Sequence, residues 1–133
     1  MTHDINIHHE ENHESASSYL VGEIGNLLIN SNRDFSIGLS GGNTPKLTYS
    51  MMAENFEDLS KTFLWTIDDR WIEEDSDLSN QRMINEYFER TDANILKFEF
   101  TSSSPESDAK KYEDKLNSSI QIFDVAILGM GED

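Results

Sequence analysis

The fold is decided by residues 35–46, which read FSIGLSGGNTPK. The apolar residues Phe35–Leu39 predict a short buried strand, and the apolar positions that come after this stretch recur at helical spacing. The adjacent glycines Gly41 and Gly42 therefore lie at a strand-to-helix turn. Because no Cβ shields them, the backbone N–H groups of such a turn can contact an anion.

The residues after the glycines predict how the helix begins. Thr44 is a suitable N-cap and Pro45 suits the first helical position, so the free N–H groups and the positive end of the helix dipole would face the loop. By itself the stretch fits an anion site and a plain αβ turn equally well, because short glycine-rich turns are common.

Helices and strands alternate along the rest of the chain. The apolar patterns predict helices over 15–30, 45–55, 80–90 and 104–117 and strands over 62–67, 95–98 and 123–128. This alternation predicts an α/β fold with a doubly wound, mostly parallel, Rossmann-like sheet that carries helices on both faces. The length of 133 residues fits one domain over 1–133.

The chain is strongly acidic. It holds 26 acidic and 10 basic residues, a formal net charge of −16, which repels phosphate backbones and argues against general nucleic-acid binding. An anionic small molecule would need a local reversal of this field by helix N–H groups and arginines. The sequence has no cysteine, no secretory signal pattern and no apolar run as long as a membrane span. These features predict a cytoplasmic protein without membrane contact.

All the histidines lie near the start of the chain, at His3, His8, His9 and His13. The last three could form a metal cluster. An acidic, terminal and non-periodic segment is more typical of a frayed end or an edge strand, however, so we predict one of these for residues 1–14 and no metal site.

Two further polar loops come directly after predicted strands. They are Asp68–Trp71 and Gly129–Asp133, and the carboxyl ends of parallel strands are where ligands bind in open α/β sheets. Arg70 could supply a charge-assisted contact to a bound anion. It could also form an ion pair with one of the nearby carboxylates, Asp68, Asp69 or Glu73.

Taken together, the loops resemble those of the 6-phosphogluconolactonase family, within the larger group that includes glucosamine-6-phosphate deaminase. The family's Ser-Gly-Gly-(Ser/Asn)-Thr-Pro loop matches Ser40–Pro45, its Asp-Glu-Arg-Trp matches Asp68–Trp71, and a following Ser-Asn matches Ser79–Asn80. Its Leu-Gly-Met-Gly-Glu-Asp run matches Leu128–Asp133. Inside these motifs the one departure is Asp69, which replaces the family's glutamate.

The resemblance implies hydrolysis of a phosphorylated sugar lactone, 6-phospho-D-glucono-1,5-lactone, to 6-phospho-D-gluconate in the pentose phosphate pathway, without a metal or an organic cofactor. The residues expected to bind the substrate and its phosphate are Ser40, Gly41, Gly42, Asn43, Thr44, Arg70, Asn80, Gly129 and Gly131. Asp68 is the catalytic candidate, because it matches an aspartate that serves in proton transfer in the related deaminases. Asn80 could bridge loops or contact the sugar, and a role as N-cap of the next helix is an equal alternative.

One residue that the resemblance implies is not in the sequence. In the family the Gly-Glu-Asp run continues into Gly-His, and that histidine is the expected general base that activates water. This sequence ends at Asp133. We therefore expect it to be the N-terminal part of a longer lactonase, with little or no activity by itself. A reduced protein that binds without catalysing is the other explanation, and the sequence leaves the oligomeric state open.

Three other functions compete with a lactonase. A glucosamine-6-phosphate deaminase or isomerase usually shows Asp-Glu-Tyr where this chain has Asp68–Trp71, so the Arg-Trp pair favours the lactonase. A non-catalytic sugar-phosphate-binding module would show affinity without turnover. An acidic interaction domain would use the three loops only as turns.

Overall fold

The computed structural model describes residues 3–130. Within them, helices and strands alternate as the sequence predicts. In chain order the elements are α1 (His13–Ile29), β1 (Phe35–Leu39), α2 (Lys46–Asn55), β2 (Thr62–Thr66), α3 (Asn80–Phe88), β3 (Asn94–Leu96), α4 (Pro105–Ser119) and β4 (Val125–Ile127).

The strands form one parallel sheet in the order β3-β2-β1-β4. The chain moves outward from β1 to β2 and β3, and then crosses back to pair β4 with the other edge of β1. Because such crossovers are right-handed, the reversal puts α2 and α3 on one face of the sheet and α4 on the other. The predicted doubly wound sheet is confirmed. Its winding reverses between β1 and β4, and ligands bind at such a reversal in open α/β sheets.

The core lies between the sheet and the first three helices. All of β1 is buried, and Ile37 and Leu39 have no exposed surface. Buried side chains from α1, α2, β2 and α3 pack around them: Ile24, Tyr49, Met52, Leu64, Ile84 and Phe88. Burial of an apolar side chain of this size contributes about 1.5–3 kcal/mol. This cluster therefore fixes the place where β1 ends and the glycine loop begins.

α2 begins differently from the other helices. Asn12, Ser79 and Ser104 cap α1, α3 and α4 by accepting a backbone N–H in the first turn. The prediction that Thr44 caps α2 is wrong: Pro45 is the N-cap, and it makes no side-chain hydrogen bond because it has no polar side chain. The first turn of α2 therefore lacks a capping side chain.

β4 is shorter than the sequence predicts. The apolar run over 123–128 predicts a longer strand, but only Val125–Ile127 pair with β1. The cause is Asp124, whose carboxylate accepts a hydrogen bond from the backbone N–H of Ser36 at 2.9 Å. A side chain thus takes the place of the backbone acceptor that would have continued the ladder.

Residues 3–10 form neither a helix nor a strand. The ring of His8 stacks on Tyr19, with centroids 3.4 Å apart. In the part of the chain that the structure describes, no three His, Asp or Glu side chains meet as metal ligands, so His8, His9 and His13 do not form a cluster. In that same part no helix combines the length and the apolar character needed to cross a membrane.

Candidate functional site

The two glycines after β1 serve different purposes. Gly42 has a φ of +88°, in the left-handed region that side chains disfavour. Gly41 has ordinary backbone angles, but a Cβ at this position would overlap the side-chain amide of Asn80. The first glycine therefore permits close packing against α3, and the second permits the turn that exposes the backbone of the loop.

Asn80 joins the loops that follow β1 and β2. Its Nδ2 donates to the backbone oxygen of Asp68 at 2.9 Å, and its Oδ1 accepts from Nη1 of Arg70 at 3.2 Å. The alternative that Asn80 caps α3 is wrong, because the hydroxyl of Ser79 is the cap and Asn80 is already inside the helix. Asn80 is buried, and Gly41 of the loop after β1 packs against its side chain, so Asn80 contacts both loops.

Asp69 ties the loop after β2 to the start of α3. Its Oδ1 accepts from the backbone N–H groups of Arg70 and Asn80, both at 2.8 Å, and its Oδ2 accepts from the N–H of Gln81 at 3.0 Å. A carboxylate at a helix N-terminus is stabilised by the free N–H groups and by the dipole. The sequence analysis missed this role, for which the only signal was the Ser-Asn helix start that follows Asp69 along the chain.

Arg70 is held by uncharged oxygens only. Its Nη1 donates to the backbone oxygen of Leu78 at 3.3 Å and to Asn80 at 3.2 Å. Among residues 3–130 it forms no salt bridge. The ion-pair alternative from the sequence is therefore wrong, since Asp69 is occupied by backbone N–H groups. The charge of Arg70 stays available to a ligand.

An open cavity of about 320 Å³ separates the glycine loop from α3. We call it the loop cavity. Its walls are formed by Gly42, Asn43 and Lys46 on one side and by Arg70, Asn80 and Arg82 on the other. Of the predicted binding residues, the structure thus brings Gly42, Asn43, Arg70 and Asn80 together.

Other predicted residues lie beside this cavity rather than in its walls. The hydroxyl of Ser40 is buried and has no hydrogen-bond partner among the described residues. The carbonyl of Ser40 accepts the hydroxyl of Tyr49 at 2.7 Å, and burial raises the pKa of Tyr49 to about 12 even though this hydrogen bond lowers it. Tyr49 therefore stays protonated and fixes the end of β1.

The remaining predicted residues line two neighbouring cavities. Thr44 and Gly129 share a smaller cavity of about 170 Å³ with His13. Asp68 and Trp71 line a third, of about 340 Å³, beside α4. Gly131 lies outside the residues that the structure describes. The predicted site residues therefore line three separate cavities rather than one.

Trp71 is anchored by a buried carboxylate on α4. Its indole N–H donates to Asp108 at 3.0 Å, and the backbone N–H of Thr101 donates to the same oxygen at 2.8 Å. Asp108 is only 1% exposed. Hydrogen bonds from the backbone and hydroxyl of Thr101 and from Trp71 hold the pKa of Asp108 below its usual value. This anchor, which the sequence analysis missed, fixes the loop that carries Arg70 and Asp68.

The comparison with known families agrees with this geometry. Residues 8–133 match a family model described as glucosamine-6-phosphate isomerases/6-phosphogluconolactonase. The chain belongs to this family. The resemblance that the loop motifs predict is confirmed, and the match includes all of the loops discussed above.

Individual members of the family share about a third of their residues with the chain where they align. A 6-phosphogluconolactonase of Thermotoga maritima is 38% identical over 98 residues, which are 71% of this chain and 44% of the relative. A 6-phosphogluconolactonase of Synechocystis sp. is 34% identical over 109 residues, which are 74% of this chain and 45% of the relative. The chain spans about half the length of the curated relatives it matches.

Solved structures confirm the α/β fold. The 6-phosphogluconolactonase of Shewanella baltica superposes with a TM-score of 0.83 at 25% identity, over 92% of this chain and 55% of that one. The enzyme of Thermotoga maritima superposes with a TM-score of 0.79 at 31% identity, over 92% and 57%. A monomeric glucosamine-6-phosphate deaminase, at 18% identity and a TM-score of 0.68 over 82% and 48%, shares the fold.

Proposed function

We propose that the protein is a 6-phosphogluconolactonase, which hydrolyses 6-phospho-D-glucono-1,5-lactone to 6-phospho-D-gluconate, and that the loop cavity binds the phosphate of this substrate. The observation that carries the proposal is the position of Arg70: it lines the same cavity as Gly42 and Asn43, and among the described residues no carboxylate forms a salt bridge with it. The names of the relatives support the substrate, and the cavity supports the way in which it is held.

The phosphate would be bound by backbone and side-chain donors together. Gly42 takes the left-handed conformation and lines the cavity with Asn43, and the first turn of α2 has no capping side chain. A bound phosphate would supply the missing acceptor and would benefit from the helix dipole. Arg70 would add a charge-assisted hydrogen bond, worth about 1.5–3 kcal/mol.

The reacting end of the substrate would lie towards Asp68. Asn80 holds the backbone of Asp68 in place, while the exposed side chain of Asp68 accepts no hydrogen bond from the described residues. In the reaction water adds to the lactone carbonyl, the ring C–O bond breaks, and the ring oxygen receives a proton. The part proposed for Asp68 is to orient the substrate hydroxyls or the attacking water.

The test is calorimetric titration with 6-phosphogluconate, with gluconate as the ligand that lacks the phosphate. Arg70→Ala is expected to weaken binding of 6-phosphogluconate by about 10- to 100-fold, the equivalent of one charge-assisted hydrogen bond. Arg90→Ala is the matched control, because Arg90 is an exposed arginine just after α3. Equal affinity of Arg70→Ala and Arg90→Ala would show that the loop cavity does not bind the phosphate.

A second measurement separates the lactonase from the deaminase. Glucosamine 6-phosphate carries the same phosphate, so it could occupy the cavity in either enzyme. Release of ammonia from this substrate, without hydrolysis of the lactone, would contradict the proposed reaction while leaving the phosphate site intact.

A further inference from the structure

We infer that Lys46 is a second cationic ligand of the substrate phosphate, and that the pair Lys46 and Arg70 makes the loop cavity selective for dianionic phosphate esters over monoanionic esters. The inference rests on the proposed function, and it names a specificity-determining residue that the sequence motifs do not single out. It is carried by the position of Lys46, by the other charges in the cavity, and by the helix on which Lys46 lies.

Lys46 and Arg70 approach the cavity from different elements. Lys46 is the first residue of α2, whereas Arg70 lies in the loop after β2, and both side chains form walls of the loop cavity. The backbone N–H of Lys46 already donates to the carbonyl of Asn43 at 3.3 Å. Any contribution of Lys46 to a ligand therefore comes from its ammonium group.

The other charged groups of the cavity wall are paired with each other, and together they carry one net negative charge. Arg82 pairs with Asp77 at 2.7 Å and with Glu86 at 2.9 Å, and it also donates to the backbone oxygen of Asp75 at 2.6 Å. These contacts use Arg82 and both carboxylates of the cavity wall. Among the described residues, Lys46 and Arg70 form no salt bridge.

With Lys46 and Arg70 included, the charged residues of the cavity wall carry a net charge of +1 (three cations, two carboxylates), in a chain with a net charge of −16. This is the local reversal of the field that an anionic ligand requires. A phosphate monoester carries close to two negative charges near pH 7, since its second pKa is about 6. Two cations match that charge better than one.

The position of Lys46 at the start of α2 also favours a bound dianion. A cation in the first turn of a helix lies near the positive end of the dipole and is unfavourable there. α1 and α4 carry acidic residues in their first turns, whereas α2 carries none. A bound dianion would reverse this unfavourable arrangement, because it would lie between the helix N-terminus and the ammonium group.

The experiment compares 6-phosphogluconate with gluconate 6-sulfate. This is an ester of the same sugar acid whose ester group carries one negative charge. Lys46→Met is expected to weaken binding of 6-phosphogluconate by at least about tenfold, as loss of one charge-assisted contact implies, and to reduce the preference for phosphate over sulfate. Lys46→Arg should retain most of the affinity for 6-phosphogluconate and most of the preference for phosphate over sulfate. Lys97→Met, which removes an exposed lysine after β3, is the matched control.

The outcomes distinguish this inference from the proposed function. If Lys46→Met binds both esters as Lys97→Met does, while Arg70→Ala is weakened, Lys46 is not a phosphate ligand and the proposed site stands. If the wild-type protein binds neither ester, the proposed function fails together with the inference. Thermal melting monitored by circular dichroism verifies that each variant is folded.

Discussion

The loops after β1 and β2 are built in opposite ways. In the loop after β2, side chains make the structure: Asp69 binds backbone N–H groups, Arg70 donates to neutral oxygens and Trp71 donates to Asp108. In the loop after β1, the side chains from residue 41 to residue 46 make no hydrogen bond among the described residues. The loop after β2 thus holds the cation Arg70 in place, whereas the loop after β1 has backbone groups that a ligand could contact.

The difference shows what each loop contributes to recognition. A side chain that is already fixed loses little further conformational entropy when a ligand binds. The guanidinium of Arg70 can therefore contact a ligand without reorganisation. The glycine loop contributes donors that have no competing side-chain acceptor. Changes at the contact between the two loops should therefore harm binding more than changes within either one.

The largest effect is expected from Gly41→Ala, which attacks that contact directly. The new methyl group would overlap Asn80 and push the loops apart. Overpacking of this kind typically lowers stability by about 1–3 kcal/mol, and we expect most of the affinity for 6-phosphogluconate to be lost as well.

Chemical denaturation and calorimetry on the same samples measure both effects. Gly22→Ala is the control, because Gly22 lies in α1 with nothing near its missing Cβ and alanine favours helix there. If Gly41→Ala bound as tightly as Gly22→Ala, the close contact with Asn80 would have no functional meaning.

A smaller effect on binding is expected from Asp69→Ala, which removes the hydrogen bonds that join the loop after β2 to the start of α3. Three backbone N–H groups would lose their acceptor, and a lost buried hydrogen bond of this kind costs about 1–3 kcal/mol. Stability should fall by about that amount and affinity by a few fold, because Arg70 would no longer be fixed.

The matched control for this change is Asp75→Ala, since Asp75 is an exposed aspartate of the same acidic segment. Urea titration should show a clear shift of the midpoint for Asp69→Ala and almost none for Asp75→Ala. Equal midpoints would mean that the carboxylate does not hold the start of α3.

The smallest effect is expected from Asp108→Asn, which keeps the shape of the anchor and removes its charge. The pKa of Asp108 is lowered in the folded protein, first by the backbone N–H of Thr101. Its stabilising contribution is therefore complete above the ordinary aspartate pKa of about 3.9 and is lost as the pH falls through the lower folded value. The variant lacks this contribution at every pH.

Urea midpoints measured at neutral pH and near pH 3 check this expectation. Asp108→Asn should be less stable than the wild type at neutral pH, and the gap should close in acid. A gap that stayed constant would show that the charge of Asp108 does not stabilise the anchor of Trp71.

Local patterns in the sequence predicted much of the fold. Phe35–Leu39 reads as a buried strand because its apolar run is short and bounded by polar turns, and the two glycines mark the loop because few other residues tolerate that backbone. The same patterns also indicated the parallel strands that precede the three loops. These signals lie within a few neighbouring residues, so a single sequence displays them.

Contacts between residues that are far apart in the sequence could not be predicted. The contacts of Asp69 with the start of α3, and the anchor of Trp71 on Asp108, need the relative placement of separate elements. The predicted start of β4 was wrong for the same reason, since Asp124 meets Ser36 across 88 residues. Even the missing cap at Thr44 depends on how Pro45 turns the chain rather than on capping preference alone.

The two sides of β1 also differ in how far apart along the chain the contacting residues lie. The walls of the loop cavity all come from the continuous segment that runs from the glycine loop through α3. The β1–β4 pair closes a far longer stretch, 88 residues at the Ser36–Asp124 contact. Because the entropy lost on closure grows with the length of the loop, the walls of the loop cavity belong to the part of the fold with the shorter-range contacts.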